Sequence, residues 1–584
     1  MKNGLVVRKT DYSLTGIIDL VKSAQKIPEE KQLLLDYPTV YLVYSKNKDG
    51  AYNVYVGETN DIKQRTGQHL STDAVTRSDW KHFLKADTSQ MIVIGHSHFN
   101  KSLTMDIENK MMLYMSGLDG VKQLTNRREN EQNMYYTEDE RDEIFSAIWK
   151  RLRGLNDSLF PVEKVIRDNA LFKASPFHKL TQEQYDARAE ILQKVIQNLR
   201  GKTEHQLILV EGDAGTGKTV LLSSLFYLLR HLDGTEEFPD LRENAAYLLV
   251  NHDQQLKVYQ EIAEKLGITN KDDSPVNKPT SFINHHSPDD PVDLVLVDEA
   301  HLLWTQGKQA YRGKNQLDDI VNRAKVTIAV FDPHQVLKTE EYLESQQIKN
   351  LEQKTAAKDN LVILKTQLRL KASKETVAWI KAITDKQEVL PYVRDKHYDL
   401  RVFDDPQEMF RTIKKLDADN VNGGLARMLA TFDWPYKQKG KPDNGSNYWL
   451  VTAGEFSQPW NLQLPLDPSQ RGRRKKLAWA EQNQTINEVG STYTIQGFDL
   501  NYAGVIIGPS VKYRNGKILF DPSLSGNKNA IRKRTLSSGI KMQVSDELLK
   551  NELNVLLTRG VKGLFLYAVD PELQKVLKKA VLKK

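Results

Sequence analysis

Two patterns of apolar positions divide this chain into a front part and a longer rear part. In the front part, the β-branched and aromatic runs 39–45 and 52–58 flank a polar turn, which predicts a β-hairpin. In the rear part, largely apolar runs such as 207–210, 293–298 and 326–331 have the length of strands. Continuous apolar strands are typical of parallel sheets that are covered on both faces. The pattern predicts an α/β protein with a small hairpin domain followed by parallel-sheet domains.

The first of these apolar strands leads into a glycine-rich loop. Residues 212–219, GDAGTGKT, match the G-x-x-x-x-G-K-[ST] phosphate loop and precede an apolar segment of helical length. Glycines let successive backbone N–H groups face phosphates at the positive end of that helix, Lys218 reaches the β- and γ-phosphates, and the Thr219 hydroxyl binds Mg²⁺. The predicted site for a nucleoside triphosphate consists of Gly212, Asp213, Ala214, Gly215, Thr216, Gly217, Lys218 and Thr219.

Acidic and amide side chains follow two further strands. The run 293–298 ends at Asp298, and Glu299 comes next. At this distance from a phosphate loop, Asp298 is expected beside Mg²⁺ and Glu299 where it orients the attacking water. Gln335 follows the run 326–331 in the same way. Together with the loop, these residues predict an ATPase with Mg²⁺ as its metal cofactor.

The rear part resembles superfamily 1 helicases over about residues 176–584. The resemblance rests on LTQEQ (180–184), QLRL (367–370), YTIQGFD (493–499) and NVLLTRGVKG (554–563). The last three look like the Schlafen-type helicase branch, which is also called DUF2075. Two RecA-like parallel-sheet motor domains are the fold that this resemblance implies.

The resemblance also implies roles for four side chains. Gln184 would pair with the adenine edge through its amide, although LTQEQ is also an ordinary helix start. Gln335 would sense the γ-phosphate and pass that signal to the nucleic-acid side. Arg369 and Arg559 are the two candidates to stabilise the transition-state charge from across a cleft, with a structural salt bridge as the alternative for each.

The front part resembles the GIY-YIG nuclease family over about residues 37–135. The matching positions follow the family order of two tyrosines, an Arg and a His on one helix face, a helix Glu and an Asn. They are Tyr41, Tyr55 with Gly57, Arg65, His69, Glu108 and Asn126. The first signature reads TVY instead of GIY, so one glycine of the family pattern is missing.

These residue types suit phosphodiester hydrolysis, which needs a nucleophilic water and a cation on the phosphorane charge. A single carboxylate, Glu108, suits one Mg²⁺ that otherwise keeps its waters. Arg65 can bind the scissile phosphate with its forked guanidinium. The residue types leave open whether a tyrosine or His69 accepts the proton from water.

The motifs predict five segments along the chain. We expect an N-terminal extension, the nuclease domain, a helical linker and two motor domains, the second of which carries basic inserts. Their bounds are 1–36, 37–135, 136–175, 176–345 and 346–584.

Composition narrows the remaining possibilities. The chain of 584 residues has a net charge of +7 and no cysteine, which excludes disulfides and thiolate metal sites. No apolar run approaches the length of a membrane span and no signal peptide is recognisable, so a cytoplasmic protein is expected. The basic runs 471–476 and 528–534 either contact phosphates or are solvated, and Trp434, Trp449 and Trp460 either stack on bases or fill a core.

The sequence thus predicts an ATP-dependent nucleic-acid motor fused to a Mg²⁺-dependent endonuclease. DNA is the expected substrate, with RNA left open, and a bacterial or phage-related defence or restriction role follows only from analogy of domain architecture. The alternative is a non-translocating ATP-gated sensor of nucleic acid that licenses cleavage.

Overall fold

The computed structural model divides the chain into two compact units. The first comprises Met1–Leu180, Ser223–His231 and Val258–Pro275, and the second comprises Thr181–Leu222, Leu232–Lys257 and Val276–Lys584. The structure describes residues 4–77, 80, 83–84, 89–125, 135–201, 205–231, 246–269, 274–307, 311–419, 423–442, 445–468, 470 and 477–582.

Among the described residues, the first unit contains a five-stranded mixed sheet. Its strands are β1 (Leu5–Asp11), β2 (Thr39–Lys46), β3 (Tyr52–Thr59), β4 (Gln90–His96) and β5 (Val121–Leu124). They lie in the order β1-β4-β2-β3-β5, and all neighbours are antiparallel except β3 and β5. The antiparallel pairing of β2 with β3 confirms the predicted hairpin. All of β3 and all but the last residue of β2 are buried, so this hairpin forms the centre of the core.

The described part of the predicted N-terminal extension, residues 4–36, belongs to this fold, so its prediction as a separate extension is wrong. Strand β1 pairs with β4 along its whole length and forms an edge of the sheet. The helix Leu14–Ala24 buries Ile17 and Leu20 in the same core cluster as Tyr41. An edge strand gives little apolar signal in the sequence, because none of its seven residues is fully buried.

The predicted linker 136–175 is helical, but it packs within the first unit. Tyr114, from the helix Lys101–Ser116, has its ring centroid 4.7 Å from that of Phe145 and 5.0 Å from that of Trp149. The segment therefore covers one face of the helix that carries Glu108. The helices in the part of this unit before residue 181 are Leu14–Ala24, Pro28–Lys31, Ile62–Gln68, Ala74–Thr76, Lys101–Ser116, Arg141–Leu155, Glu163–Arg167 and Ala170–Lys173, with π-helical turns at Gln32–Asp36 and His69–Asp73 and a 3₁₀ turn at Glu138–Glu140.

The second unit contains a six-stranded parallel sheet that carries the predicted phosphate loop. Its strands are β6 (Gln206–Gly212), β7 (Ala246–Val250), β8 (Val276–Asn277), β9 (Val292–Asp298), β10 (Ala324–Phe331) and β11 (Leu361–Leu364). They lie in the order β11-β6-β10-β9-β7-β8. Because all are parallel, the carboxyl ends of β6, β9 and β10 meet at one edge of the sheet.

The predicted boundary between residues 345 and 346 is wrong. Strand β11 pairs with β6 in parallel, so the first motor sheet continues through residue 364. The helix Ser345–Ala357 packs on the same sheet, since Ile348 and Leu351 lie against its core. Gln367 and Arg369 therefore follow a strand of the first sheet and do not belong to the second.

A second parallel sheet follows in the same unit. Its strands are β12 (Asp399–Val402), β13 (Ala426–Ala430), β16 (Val489–Gly490), β17 (Leu500–Ile507) and β22 (Gly560–Ala568), in the order β12-β22-β17-β13-β16. Three antiparallel hairpins accompany it. They are β14 (Leu450–Ala453) with β15 (Phe456–Pro459), β18 (Val511–Arg514) with β19 (Lys517–Phe520), and β20 (Lys533–Thr535) with β21 (Lys541–Gln543).

Helices pack against both parallel sheets, as the apolar strands predict. Trp434 and Trp460 lie in the core of the second sheet and Trp449 packs against this core, so these three side chains fill a core. Within the described residues, no helix combines the length and apolar character that crossing a membrane requires. The helices that begin in this unit are Gln182–Arg200, Lys218–His231, Asp253–Lys265, Pro279–His285, Gln316–Val321, Ser345–Ala357, Lys374–Lys381, Pro406–Ala418, Thr492–Ile495, Ser545–Leu557 and Pro571–Leu582.

Candidate functional sites

A polar cleft of about 500 Å³ opens beside the helix Ile62–Gln68 of the first unit. Asp61 caps this helix by accepting a hydrogen bond from the Gln64 backbone N–H at 2.9 Å. The cleft brings together three residues that the sequence singled out, although they are far apart along the chain. Its lining consists of Tyr55, Glu58, Thr59, Asn60, Asp61, Gln64, Arg65, Gln68, Arg77, Lys101 and Glu108.

Two hydrogen bonds in series link the predicted residues Tyr41 and His69 to Asp73. The Tyr41 hydroxyl lies 2.7 Å from His69 Nε2, and His69 Nδ1 lies 2.6 Å from Asp73 Oδ2. Because a carboxylate only accepts, Nδ1 carries the imidazole proton and Nε2 accepts from the tyrosine. The π-helical turn His69–Asp73 places both ends of the second bond, and Trp80 stacks on the imidazole at 4.0 Å.

Burial sets the protonation states in this chain. Burial, and then the charge of Arg65, lower the pKa of His69 to about 4, against the opposing effect of Asp73. Burial, and then Tyr55, raise the pKa of Tyr41 well above its ordinary value. At neutral pH the structure therefore holds a neutral imidazole whose free lone pair points at a protonated phenol.

The cleft offers a simple set of metal donors. Glu108 is only 7% exposed and lines the cleft, whereas the Glu58 carboxylate accepts a hydrogen bond from Lys101 Nζ at 2.6 Å. Within the described ranges, no cluster of three or more His, Cys, Asp or Glu side chains could hold a metal ion. A buried carboxylate such as Glu108 in a polar cleft fits Mg²⁺, which keeps most of its waters. Asn126, the last residue of the predicted set, lies outside the described residues.

In the second unit, the loop after β6 has the backbone of a phosphate-binding loop. Gly215 and Gly217 have φ of 89° and 77°, a region that favours glycine. A Cβ at Gly217 would lie 2.2 Å from Gln184 Nε2, so a side chain there would collide. The Thr216 hydroxyl closes the loop by donating to the Asp213 carbonyl at 3.0 Å.

Lys218 is held within this loop by oxygen atoms. Its Nζ donates to the carbonyls of Gly212 and Asp213 at 2.6 and 2.8 Å and to Asp332 Oδ2 at 3.3 Å. Burial opposes ionisation of Asp332, but Lys218 and then His301 keep the pKa of this carboxyl below its ordinary value. The ammonium and carboxylate therefore face each other at the edge of the sheet where the loop lies.

Asp298 and Glu299 lie at the end of β9, at the same edge. Asp298 is 1% exposed and accepts hydrogen bonds from Gln255 Nε2 at 2.7 Å and from the Glu299 backbone at 3.0 Å. Glu299 has a left-handed backbone with φ of 51°, an unusual conformation for a residue with a side chain. Its carboxylate lies 2.9 Å from His301 Nε2. Burial opposes its ionisation, but His301 and then Lys218 hold the pKa of Glu299 at about 2.

Gln184 contacts the loop directly. Its Nε2 donates to the Gly217 carbonyl at 3.2 Å, while its Oε1 accepts from the Thr181 backbone N–H at 3.0 Å. Thr181 and Gln184 form a capping box at the start of the helix Gln182–Arg200. The helix-start reading of LTQEQ is therefore structurally correct, and the same glutamine touches the loop that follows much later in the chain.

The two predicted arginines meet near the loop. The backbone N–H of Arg369 donates to the Gly215 carbonyl at 3.1 Å, and its Nε lies 2.7 Å from Asp499 Oδ1. Its buried Nη1 has no hydrogen-bond partner within the described part of the chain. Arg559 Nη2 donates to Gln335 Oε1 at 3.1 Å. Burial, and then the neighbouring Arg369, lower the pKa of Arg559 to about 10, so it stays charged at neutral pH.

Comparison with known families follows the same division of the chain. The family profile described as "Schlafen group 3, DNA/RNA helicase domain" matches residues 205–570. The chain belongs to this Schlafen group 3 family. The profile described as "GIY-YIG catalytic domain" matches residues 37–112. The order of the two matches confirms the predicted fusion of a GIY-YIG nuclease domain with a Schlafen-type helicase domain.

Individual proteins of known sequence or structure resemble this Schlafen-family chain. "Uncharacterized protein YPL245W" of Saccharomyces cerevisiae is 33% identical over 462 residues, which cover 74% of this chain and 97% of the yeast protein. The Arterivirus nonstructural protein 10 helicase is 13% identical with a TM-score of 0.27, and the match covers 66% of this chain and 64% of the viral one. A structure described as "Structural Basis for DNA Unwinding at Forked dsDNA by two coordinating Pif1 helicases" is 11% identical with a TM-score of 0.25, and the match covers 70% of this chain and 95% of the other.

Several residues at these sites are not predicted by the sequence motifs. Asp73 follows His69 by one helical turn, and that spacing was the only available signal. His301 and Asp499 lie within motifs that the sequence identified, but nothing in a motif shows that they face Glu299 and Arg369. Trp80 could not be found from sequence, because ring stacking depends on the tertiary fold.

Proposed function

We propose that this Schlafen-family protein hydrolyses ATP in its second unit to drive or gate cleavage of nucleic acid, DNA in preference to RNA, by its first unit. One observation carries the proposal: residues from both parallel sheets converge at the predicted phosphate loop. Lys218 and Gln335 both donate to the Asp332 carboxylate that follows β10 of the first sheet, and Gln335 accepts from Arg559, which precedes β22 of the second. Motors of this type need such a junction, because ATP must act on two domains at once.

Each residue of the junction fits a step in ATP hydrolysis. Lys218 would exchange its carbonyl partners for phosphate oxygens, and Asp298 with the Thr219 hydroxyl supplies hard oxygen ligands suited to Mg²⁺. That ion would neutralise phosphate charge when bound. Glu299 is ionised at neutral pH and so can orient a water. The free Nη1 of Arg369 can bind the charge that develops on the transferred phosphate.

The first unit fits phosphodiester hydrolysis equally well. Arg65 in the cleft can bind the scissile phosphate, and Glu108 would hold the Mg²⁺ that polarises it. The neutral His69, oriented by Asp73, can accept the Tyr41 proton as Tyr41 takes one from the attacking water. We therefore assign the base to a tyrosine–histidine pair acting together.

Two variants separate the activities. Lys218→Ala should abolish ATP hydrolysis, because it removes the cation that stabilises the transferred phosphate. Glu108→Gln should lower Mg²⁺-dependent cleavage by about 10²–10³-fold and leave ATP hydrolysis unchanged. Both are measured on labelled duplex substrates, with ATP turnover followed in parallel. Normal ATP turnover by Lys218→Ala would refute the motor assignment, and normal cleavage by Glu108→Gln would make the first unit a nucleic-acid clamp.

The same assays distinguish stepping from switching and DNA from RNA. A motor displaces a strand only while ATP is hydrolysed, whereas a switch also licenses cleavage with a non-hydrolysable analogue. Matched DNA and RNA substrates give the preferred nucleic acid. The defence role we propose predicts that cells carrying the intact protein restrict phage growth and that cells carrying Glu108→Gln do not.

A further inference from the structure

The hairpin of β20 and β21 presents a basic face to solvent. Lys533 pairs with Gln543 and Thr535 pairs with Lys541 across the two strands. Paired residues of an antiparallel ladder project from the same face, so these four side chains share one face, and all four are exposed. Neither lysine carries an ion pair within the structure described here.

The composition of this hairpin favours binding of a polyanion. Residues 528–544 contain Lys528, Arg532, Lys533, Arg534 and Lys541 and no acidic residue. The same hairpin also exposes apolar side chains: Met542, which pairs with Arg534 on the opposite face of the ladder, is 51% exposed, and Ile540 is 64% exposed. Exposed lysines on one face suit contacts with phosphates, and exposed apolar side chains in the same hairpin suit contacts with unstacked bases, which together favour single-stranded nucleic acid.

The other face of the hairpin is anchored on the chain segment that follows β10. The buried Arg534 guanidinium donates to the Thr339 carbonyl, and the Thr339 backbone donates to the Asn529 carbonyl at 3.0 Å. The Ser537 backbone donates to Glu344 at 2.7 Å. Val336 and Tyr342 pack in one apolar cluster with Ala530 and Val544 from the two ends of the hairpin.

That same segment begins at the nucleotide site. Gln335 Nε2 donates to Asp332 Oδ2 at 2.6 Å, and Asp332 lies 3.3 Å from Lys218 of the phosphate loop. Gln335 also accepts from Arg559. A few residues of backbone therefore separate the groups that face the triphosphate from those that hold the hairpin.

We propose that the hairpin 528–544 contacts the backbone of single-stranded nucleic acid. We further propose that segment 332–344 changes its contacts with this hairpin when nucleotide binds. The inference rests on the proposed function, because it needs both ATP and nucleic acid to bind. Coupling of this kind is reciprocal, so nucleic acid must change ATP affinity by the same factor as ATP changes nucleic-acid affinity, typically about 5- to 150-fold.

The contact is tested by the salt dependence of binding. The full-length chain is titrated with fluorescein-labelled oligothymidylate at several salt concentrations. Each lost phosphate contact on a single strand reduces the slope of log K against log salt by about 0.7, so Lys533→Ala with Lys541→Ala should reduce it by about 1.4. The hairpin of β18 and β19 supplies the control, because Lys512 and Lys517 are paired with Asp521 and Glu388 at 2.7 and 2.6 Å. Lys512→Ala with Lys517→Ala should leave the slope unchanged.

The coupling is tested by breaking the anchor. Arg534→Met keeps the apolar stem and removes the bond to Thr339. It should reduce the nucleotide-dependent change in oligothymidylate affinity to less than twofold, while the affinities of each ligand alone stay within twofold of wild type. Ser537→Ala removes the hydrogen bond that the exposed Ser537 hydroxyl donates to Glu344 Oε2 at 3.0 Å, so it should reduce the change in the same direction without risk to folding, and thermal unfolding verifies both variants.

The outcomes separate this inference from the proposed function. If the lysine variant keeps the wild-type slope while the wild type binds oligothymidylate, the hairpin contact is refuted and the proposed function stands. If Arg534→Met and Ser537→Ala keep the full coupling, the role of segment 332–344 is refuted. A wild-type chain that binds neither oligothymidylate nor ATP analogue would refute the proposed function and this inference together.

Discussion

Replacing Asp73 by Asn tests the hydrogen-bonded chain at the nuclease cleft. Asp73 accepts the Nδ1 proton of His69 at 2.6 Å, and this bond leaves Nε2 free to accept from Tyr41 at 2.7 Å. Asn keeps the size of the side chain and can still accept a hydrogen bond, but it carries no charge. The change therefore removes the stabilisation of the imidazolium that forms when His69 takes up the proton.

The size of the effect follows from the strength of that bond. A hydrogen bond to a charged group contributes about 1.5–3 kcal/mol, and His69 becomes charged only as the proton moves. Since about 1.4 kcal/mol corresponds to a tenfold change in rate, Asp73→Asn should slow cleavage by about 10- to 150-fold. Substrate binding should change little, because Asp73 is absent from the lining of the cleft.

The assay is single-turnover cleavage of a labelled duplex in Mg²⁺, with the rate measured between pH 6 and pH 8. Because the pKa of His69 is about 4, about 99% of the imidazole is neutral at pH 6, whereas a His of ordinary pKa would be only about a quarter neutral there. The wild-type rate should therefore show no loss from protonation of His69 over this range. Asp49→Asn is the matched control, because Asp49 lies on the surface and pairs with Lys122.

Two results would refute this reasoning. The first is a cleavage rate for Asp73→Asn equal to that of wild type and Asp49→Asn. The second is a wild-type rate that falls about fourfold from pH 8 to pH 6, because that is the behaviour of a base whose pKa lies near 6.5.

The remaining predictions concern the motor site and stability. Glu299→Gln should bind ATP with wild-type affinity, measured by calorimetry, but hydrolyse it about 10²–10³-fold more slowly, since the neutral amide cannot orient the water as the carboxylate does. Arg369→Met should lower ATP turnover by about 10³-fold, and an unchanged rate would leave this arginine as a structural partner of Asp499. His69 should destabilise the first unit in acid. The pKa of His69 is about 4 in the folded chain and near 6.5 in the unfolded chain, so the unfolded chain binds a proton at higher pH. The free energy of unfolding therefore falls by up to about 3 kcal/mol as the pH is lowered from 6.5 towards 4. Urea unfolding at a series of pH values should show this slope in wild type and a weaker one in His69→Gln.

Motifs whose residues are close in the chain were readable from the sequence. The loop from Gly212 to Thr219 and the pair Asp298 and Glu299 each follow a continuous apolar strand, so the local pattern alone predicts their place at a sheet edge. The β2–β3 hairpin was equally clear, because alternating β-formers flank a short polar turn.

The pairing of strands that lie far apart in the chain could not be predicted from the sequence. Strand β1 joins the nuclease sheet and β11 joins the first motor sheet as edge strands whose partners lie far away in the sequence, so the predicted boundaries at residues 36 and 345 do not follow the sheets. The register of a strand and the strands beside it depend on which apolar faces and strand edges the rest of the chain leaves exposed.

The sequence by itself determined the chemistry available to this protein, because phosphate loops and nuclease signatures are sets of residue types at fixed short spacings. The tertiary structure alone decided which side chains act on one another. It set the proton on His69 through Asp73, joined Gln335 to Arg559, and left Nη1 of Arg369 without a hydrogen-bond partner among the residues that the structure describes. The physical reason is that burial and the distances between charges, which fix pKa values and hydrogen bonds, are properties of the packed chain and not of any short stretch of it.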